Sequence, residues 1–155
     1  MKHLRRYNEA VGDLKEIKEF CANYLANLLD DEDYGFNVRE IMTSYSPSPS
    51  YIFLLFHDYD KIKWDKVKDH VIPFLHMLMK NNQIEPLPFY GGAGPNFYHH
   101  CKNSGARYRY IDENPWNRTI RFKQDDYTYY YTSIKNVIND EDVPDEFTQI
   151  QIQFS

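Results

Sequence analysis

The sequence has few cysteines and no long apolar run. Its two cysteines, Cys21 and Cys101, stand 80 residues apart in a chain of 155 residues. Two cysteines make no disulfide framework and favour a reducing compartment. No run of 18 apolar residues occurs, so the sequence predicts no membrane span. The first residues are charged and have no apolar core, so we expect no secretion signal.

The sequence also lacks the common metal, cofactor and catalytic motifs. There is no C-x-x-C, no H-E-x-x-H, no Walker A loop and no dinucleotide fingerprint. His99, His100 and Cys101 are adjacent, and adjacent side chains diverge on a strand or a helix. The stretch from His57 to Asp60 offers a second, weaker set of ligand types. We therefore predict no metal site, no cofactor and no catalytic residue, and we favour a non-enzymatic protein over an enzyme.

Aromatic residues are abundant, and the charge is uneven. The chain has 14 Tyr and 10 Phe, too many for a disordered protein. The net charge is −5, which disfavours broad DNA binding. The segment from Phe97 to Gln124 has six basic and two acidic residues, so its charge is +4 and the remainder sums to −9. This segment is the one place where the charge favours an anionic ligand.

Apolar residues at spacings of three and four predict two main helices. The first extends from Asp13 to Leu29, with Cys21 on its apolar stripe. The second begins near Asp65 and contains Pro73, which either kinks the helix or begins a new one. A short helix is expected at 134–138.

Strand patterns fill the remaining chain. An apolar run from Tyr51 to Phe56 predicts a buried strand, paired as a hairpin with a strand near Phe36 and Val38. Further strands are expected at 107–111, 119–122, 127–132 and 150–154. For the third of these, the spacing of Tyr127, Tyr130, Tyr131 and Ile134 fits a helix as well. Helices on a mainly antiparallel sheet make the predicted fold class α+β. We expect one domain over residues 1–155, with residues 1–12 as a candidate flexible segment.

The stretch from Pro88 to Tyr110 holds four of the six glycines. Glycines allow close backbone approach, and successive N–H groups can form an anion-binding nest. Two arginines follow on an expected strand with tyrosines beside them, a pattern that suits phosphate and stacked bases. The candidate anion or nucleotide ligands are Gly91, Gly92, Gly94, Asn96, His99, His100, Arg107 and Arg109.

The expected strand near the end of the basic segment is rich in tyrosine. Tyrosine and arginine are enriched at the centres of protein interfaces. One face of the strand would carry three tyrosines and the other face one. The candidate partner-binding residues are Tyr127, Tyr129, Tyr130 and Tyr131.

Three stretches resemble small proteins of large tailed bacteriophages. They are "MKHLRRYNEA", "FCANYLANLLDDEDYGFNV" and "WDKVKDHVIPFLHMLM", which together cover under a third of the chain. The resemblance implies a viral source. In some such phages a similar N-terminus directs proteins into the head and is cut after a glutamate. Here Glu9 would be that site, although its spacing differs by one residue.

The sequence leads to three hypotheses of function. The first is a non-enzymatic phage accessory protein in the host cytoplasm that binds a host protein or sequesters a small nucleotide signal, as anti-defence proteins do. The second is an internal or structural protein of the virion. The third is an enzyme acting on nucleic acid through His99 and His100. Homo-oligomerisation is left open.

Overall fold

A computed structural model gives the architecture of the chain. It describes residues 10–31, 33–41, 49–87, 107–110, 119–125 and 128–155. These residues form four helices and nine strands. The helices are α1 (Ala10–Tyr24), α2 (Ala26–Leu29), α3 (Trp64–Asn81) and α4 (Ile134–Ile138). The strands are β1 (Tyr34–Ile41), β2 (Ser50–His57), β3 (Ile62–Lys63), β4 (Ile84–Glu85), β5 (Arg107–Tyr110), β6 (Ile120–Lys123), β7 (Thr128–Thr132), β8 (Glu146–Phe147) and β9 (Gln149–Phe154).

Seven of the strands form one sheet around β9. Its order is β1-β2-β9-β6-β7-β5, and β4 pairs with β9 as well. All pairings in it are antiparallel except β5 with β7, which is parallel. Strands β3 and β8 form a separate two-stranded sheet. The prediction of a mainly antiparallel sheet with two main helices is confirmed, and the fold is α+β.

The helices of the described residues all contribute to one core on one face of the sheet. Side chains alternate along the strands, so every second residue of β2, β9 and β6 faces this core. Phe53, Ile152 and Phe122 are at most 1% exposed, and Phe74 of α3 packs on Phe53 with ring centroids 4.9 Å apart. The residues between them on each strand face the other side of the sheet, which we call the second face.

One helix prediction needs correction, and one of the two alternatives for the second helix is excluded. The first helix begins at Ala10, before the expected start at Asp13, and it is interrupted at Leu25, so that α2 follows as a separate turn. The second helix neither ends nor restarts at Pro73, because α3 is continuous from Trp64 to Asn81. Pro73 has no N–H to donate to the carbonyl one turn earlier in the helix. It lies on the exposed side of α3, where water can hydrate that carbonyl.

The edge strand β1 approaches β2 closely at Gly35. Gly35 pairs with Phe56, and a Cβ atom at Gly35 would lie 2.7 Å from Cζ of that ring. No side chain fits at such a distance unless the ring moves. The absence of a side chain at Gly35 therefore lets the ring of Phe56 approach the backbone of β1 closely on the second face.

The end of α4 is fixed by a residue with a positive φ angle. Asp140 has φ of 55°, and its N–H donates to the carbonyl of Val137 over 3.0 Å. The N–H of Glu141 donates to the carbonyl of Asn136 over 2.9 Å. These two bonds form a Schellman motif, in which glycine usually occupies the left-handed position.

Candidate functional site

The second face of the sheet carries an arginine near its centre. Arg121 lies on β6, between Gln151 of β9 and Tyr131 of β7 in the strand register. Ile120 and Phe122 on either side of Arg121 are fully buried in the core, so the alternation of β6 places Arg121 on the second face. No described helix packs there, and the Arg121 side chain is half-buried.

Four contacts hold the guanidinium of Arg121 in one place. Nη1 donates to the hydroxyl oxygen of Tyr131 over 3.3 Å, and Nη2 donates to Oε1 of Gln151. The Arg121 Cζ atom lies 5.3 Å from the ring centroid of Tyr129 and 5.9 Å from that of Tyr131. Both distances are within the range of cation–π attraction. Because the rings and the amide fix the guanidinium, little side-chain entropy remains to be lost when it binds a ligand.

Within the described part of the chain, the guanidinium of Arg121 contacts only uncharged groups. Its hydrogen-bond acceptors are a phenol and an amide, which are both uncharged. No carboxylate of the described residues lies within salt-bridge distance of it. A half-buried guanidinium of this kind is a candidate anion site, because the planar fork of arginine matches phosphate and carboxylate.

The structure describes two positions of the predicted ligand set. Arg107 and Arg109 lie on β5, where a strand was expected, and Arg109 pairs in register with Tyr130. Their strand is separated from β6 by β7 alone. The remaining predicted ligands are outside the described residues: Gly91, Gly92, Gly94, Asn96, His99 and His100. Their role in an anion site stays a prediction.

The predicted tyrosine surface divides into parts with different roles. Tyr131 has no exposed area, so it is an internal residue and not a contact for a partner. Tyr130 is half-buried and packs against the core on the helix side. Tyr129 is half-buried on the second face beside Arg121. Tyr127 lies outside the described residues, and partner binding by the exposed parts of Tyr129 and Tyr130 stays a prediction.

The stretch from His57 to Asp60 forms a tight turn after β2. Nδ1 of His57 accepts hydrogen bonds from the backbone N–H groups of Tyr59 and Asp60, over 3.2 and 3.0 Å. That nitrogen is thus occupied by the turn, and the described residues contain no group of three metal-ligand side chains. The turn presents the side chain of Tyr59, which is 85% exposed, between two aspartates.

Tyr34 lies against the ring of His57 at the same end of the sheet. Their ring centroids are 4.7 Å apart, and the planes are nearly perpendicular. Burial, and then the nearby charges of Asp31 and Asp60, raise the pKa of Tyr34. The phenol is therefore neutral at physiological pH.

Sequence reasoning placed Arg121 in the basic segment and did not single it out as a ligand. The signal that could have found it is the alternation of Ile120-Arg121-Phe122-Lys123, with apolar residues on one side and cations on the other. Combined with the glutamines of β9, this alternation marks a polar sheet face. The pairing of β6 with β9 places the cations of one strand beside the glutamines of the other. That pairing cannot be predicted from the sequence of either strand alone.

The comparisons with known proteins add no relative. No family model, curated protein or solved structure matches the chain. Among the described residues, no helix is both long and apolar enough to cross a bilayer.

Proposed function

We propose that the chain is a non-enzymatic bacteriophage accessory protein that sequesters a nucleotide-type signal of the host cell. The phage source depends on the sequence resemblance of the N-terminal stretch and of the two helical stretches. The choice of a nucleotide-type ligand depends on one observation, the guanidinium of Arg121 on the second face, which forms no ion pair with a carboxylate of the described residues.

The chemistry around Arg121 suits binding of a phosphate group. Its guanidinium has five N–H donors, of which two are used by Tyr131 and Gln151. The donors that remain can form charge-assisted bonds with phosphate oxygens. The neighbouring groups, Tyr129 and Gln151, stack and hydrogen-bond, so they can position a ligand without transforming it.

Arg107 and Arg109 do not share the register of Arg121. On β5 they are opposite Thr128 and Tyr130 of β7, whereas Arg121 of β6 is opposite Tyr131. Tyr130 packs on the helix side, so the alternation of the strands assigns these two positions to the side of the sheet opposite to Arg121. The nucleotide proposal therefore depends on Arg121 and not on Arg107 or Arg109.

Titration calorimetry with ribonucleoside monophosphates and cyclic dinucleotides tests the proposal. We expect at least one nucleotide to bind, and Arg121→Gln to weaken that binding by roughly 10- to 100-fold, the loss of a charged hydrogen-bonding group. Tyr129→Leu should weaken it less, because the ring only positions the guanidinium. Arg121→Lys should recover little, because it loses the planar fork.

The matched control is Arg39→Gln, which removes an equal charge from an exposed position on the second face. Arg39 is on β1, three strands from β6 and about 14 Å away. Its loss should leave affinity within about twofold, since surface charges are screened at that distance. If no nucleotide binds, or if both arginine variants weaken binding equally, the proposal is wrong.

Binding of a host protein is a second candidate, favoured by the exposure of Tyr59. An aromatic ring that is 85% exposed between Asp58 and Asp60 fits a partner with a basic, apolar surface. Capture from host lysate by the wild type, compared with Tyr59→Ser, tests it. Equal capture by both proteins would exclude this turn as the contact.

A further inference from the structure

The turn after β2 is closed by a titratable side chain. Nδ1 of His57 is the acceptor of both hydrogen bonds in its middle, from the backbone N–H groups of Tyr59 and Asp60, over 3.2 and 3.0 Å. Both bonds need the lone pair of Nδ1, so the ring is the neutral tautomer that carries its proton on Nε2. The conformation of this turn therefore depends on the protonation state of one imidazole.

Protonation of His57 removes that acceptor. A second proton on the ring occupies Nδ1, and an imidazolium is a donor at both nitrogens. The two backbone N–H groups would then face a third N–H, so neither hydrogen bond could form. Either the ring rotates away or the turn opens, and in both cases the two N–H groups lose their partner. Histidine is the side chain that ordinarily gains its proton between pH 5 and 8.

The other hydrogen bonds of the turn do not involve the imidazole. The N–H of Asp58 donates to the carbonyl of Asp33 over 2.9 Å, and the N–H of Lys61 donates to Oδ1 of Asp60 over 2.8 Å. The first of these bonds continues the pairing of β1 with β2. Loss of the two His57 bonds therefore releases Tyr59 locally and leaves the strand pairing in place.

The groups around the imidazole are mostly acidic. Tyr34 of β1 contacts the ring edge-on, with centroids 4.7 Å apart, and burial raises the pKa of this phenol, so it stays neutral. The charged side chains of residues 58–61 and of the described residues just before β1 are Asp31, Asp33, Asp58, Asp60 and Lys61. Asp58 and Asp60 are the nearest carboxylates along the chain. They can accept hydrogen bonds from an imidazolium that has left the turn.

We propose that His57 is an acid-sensitive switch of the Tyr59 turn, which is closed when the imidazole is neutral and open when it is protonated. The side chain of Tyr59 is 85% exposed on this turn. A partner that recognises the closed turn would bind near neutral pH and dissociate in acid, because it favours one state of a two-state equilibrium that protonation shifts. This inference does not depend on nucleotide binding at Arg121.

Amide hydrogen exchange at Tyr59 and Asp60, measured by NMR at pH 7.5 and pH 5, tests the switch. Relative to the rate of an unstructured chain, exchange in the wild type should be roughly 5- to 100-fold faster at pH 5, which corresponds to the loss of two hydrogen bonds. His57→Asn keeps a side-chain acceptor for the backbone two residues on, and acid in this range does not protonate it. Its turn should stay closed at both pH values, whereas that of His57→Ala should be open at both.

The control amide is that of Tyr34, which donates to the carbonyl of Asp31 over 3.0 Å at the same end of the sheet. Its exchange relative to an unstructured chain should change by less than about twofold, which distinguishes opening of the turn from general loosening in acid. The loss of protection in the wild type should have the same midpoint as the titration of His57, followed through its imidazole resonances. Thermal midpoints at both pH values establish that each variant is folded.

Each result supports or overturns the switch. If the wild type keeps its protection at pH 5, the imidazole does not control the turn. Protection that is lost in parallel in His57→Asn, or with a midpoint other than that of His57, assigns the response to another group and contradicts the proposal. Equal protection of His57→Ala and the wild type at pH 7.5 would mean that the two bonds to Nδ1 do not hold the turn, and the proposal is then wrong.

Discussion

The indole nitrogen of Trp64 donates a 2.6 Å hydrogen bond to Oδ1 of Asp140, which joins the first residue of α3 to the residue that ends α4. Nζ of Lys68 donates to the other carboxylate oxygen over 3.2 Å. An aspartate thus occupies the left-handed position where glycine is usual, and its side chain ties the helix end to α3. A glycine at this position could not make this tie.

Acid should weaken the protein through Asp140. The Trp64 hydrogen bond, and then Lys68, lower the pKa of Asp140. A lowered pKa in the folded state gives stability that is present above the unfolded value of about 4 and is lost as the pH falls through the folded value. In urea unfolding, Asp140→Asn should therefore be less stable than wild type at pH 7, and the difference should shrink below pH 4. A constant difference would contradict this account.

A side chain at position 35 should destabilise the sheet. Gly35→Ala puts a methyl group into the ring of Phe56, which must move, and we expect a loss of about 1–3 kcal/mol, typical of overpacking. Chemical denaturation measures it. Asn37→Ala, two residues along β1 on the same face and exposed, should change stability by about 0.5 kcal/mol or less. Adding Phe56→Leu to Gly35→Ala should recover part of the loss, and no recovery would mean that the ring is not the obstacle.

The thiol of Cys21 should be unreactive in the folded protein. Cys21 has no exposed area, and burial raises its pKa to about 12. Since the thiolate is the reactive form, a disulfide reagent at pH 8 should leave it unmodified in buffer and label it fully in guanidinium chloride. The experiment uses the Cys101→Ser variant, so that Cys21 is the only thiol that can be labelled. Fast labelling of the native protein would mean that α1 opens readily.

Local patterns predicted the elements well, because periodicity reports which side of an element is buried. Ile150, Ile152 and Phe154 alternate with glutamines, and β9 is indeed a strand with those residues in the core. The same pattern does not tell which strands lie beside it. The burial of Gln153 could not be predicted, because it depends on β4 pairing along the same side of β9 as β6.

The candidate site was harder to predict than the fold. Glycines, histidines and arginines attracted attention by their types, whereas Arg121 matters because of its position among neighbours that are distant in sequence. Gln151 follows it by 30 residues in the chain. Whether a cation is solvated at the surface or fixed among uncharged neighbours depends on packing between strands. The sequence pattern of one strand does not contain that information.

The placement of β9 also sets the order in which the chain can fold. Tyr51 pairs with Phe154, which is synthesised 103 residues later. Strands β4 and β6 also pair with β9, so they too lack a neighbour until β9 has been synthesised. During synthesis, the first hairpin must remain without its inner neighbour until β9 has left the ribosome. Contacts of such long sequence separation make folding slow, so a nascent chain of this protein has an open sheet edge that chaperones can bind.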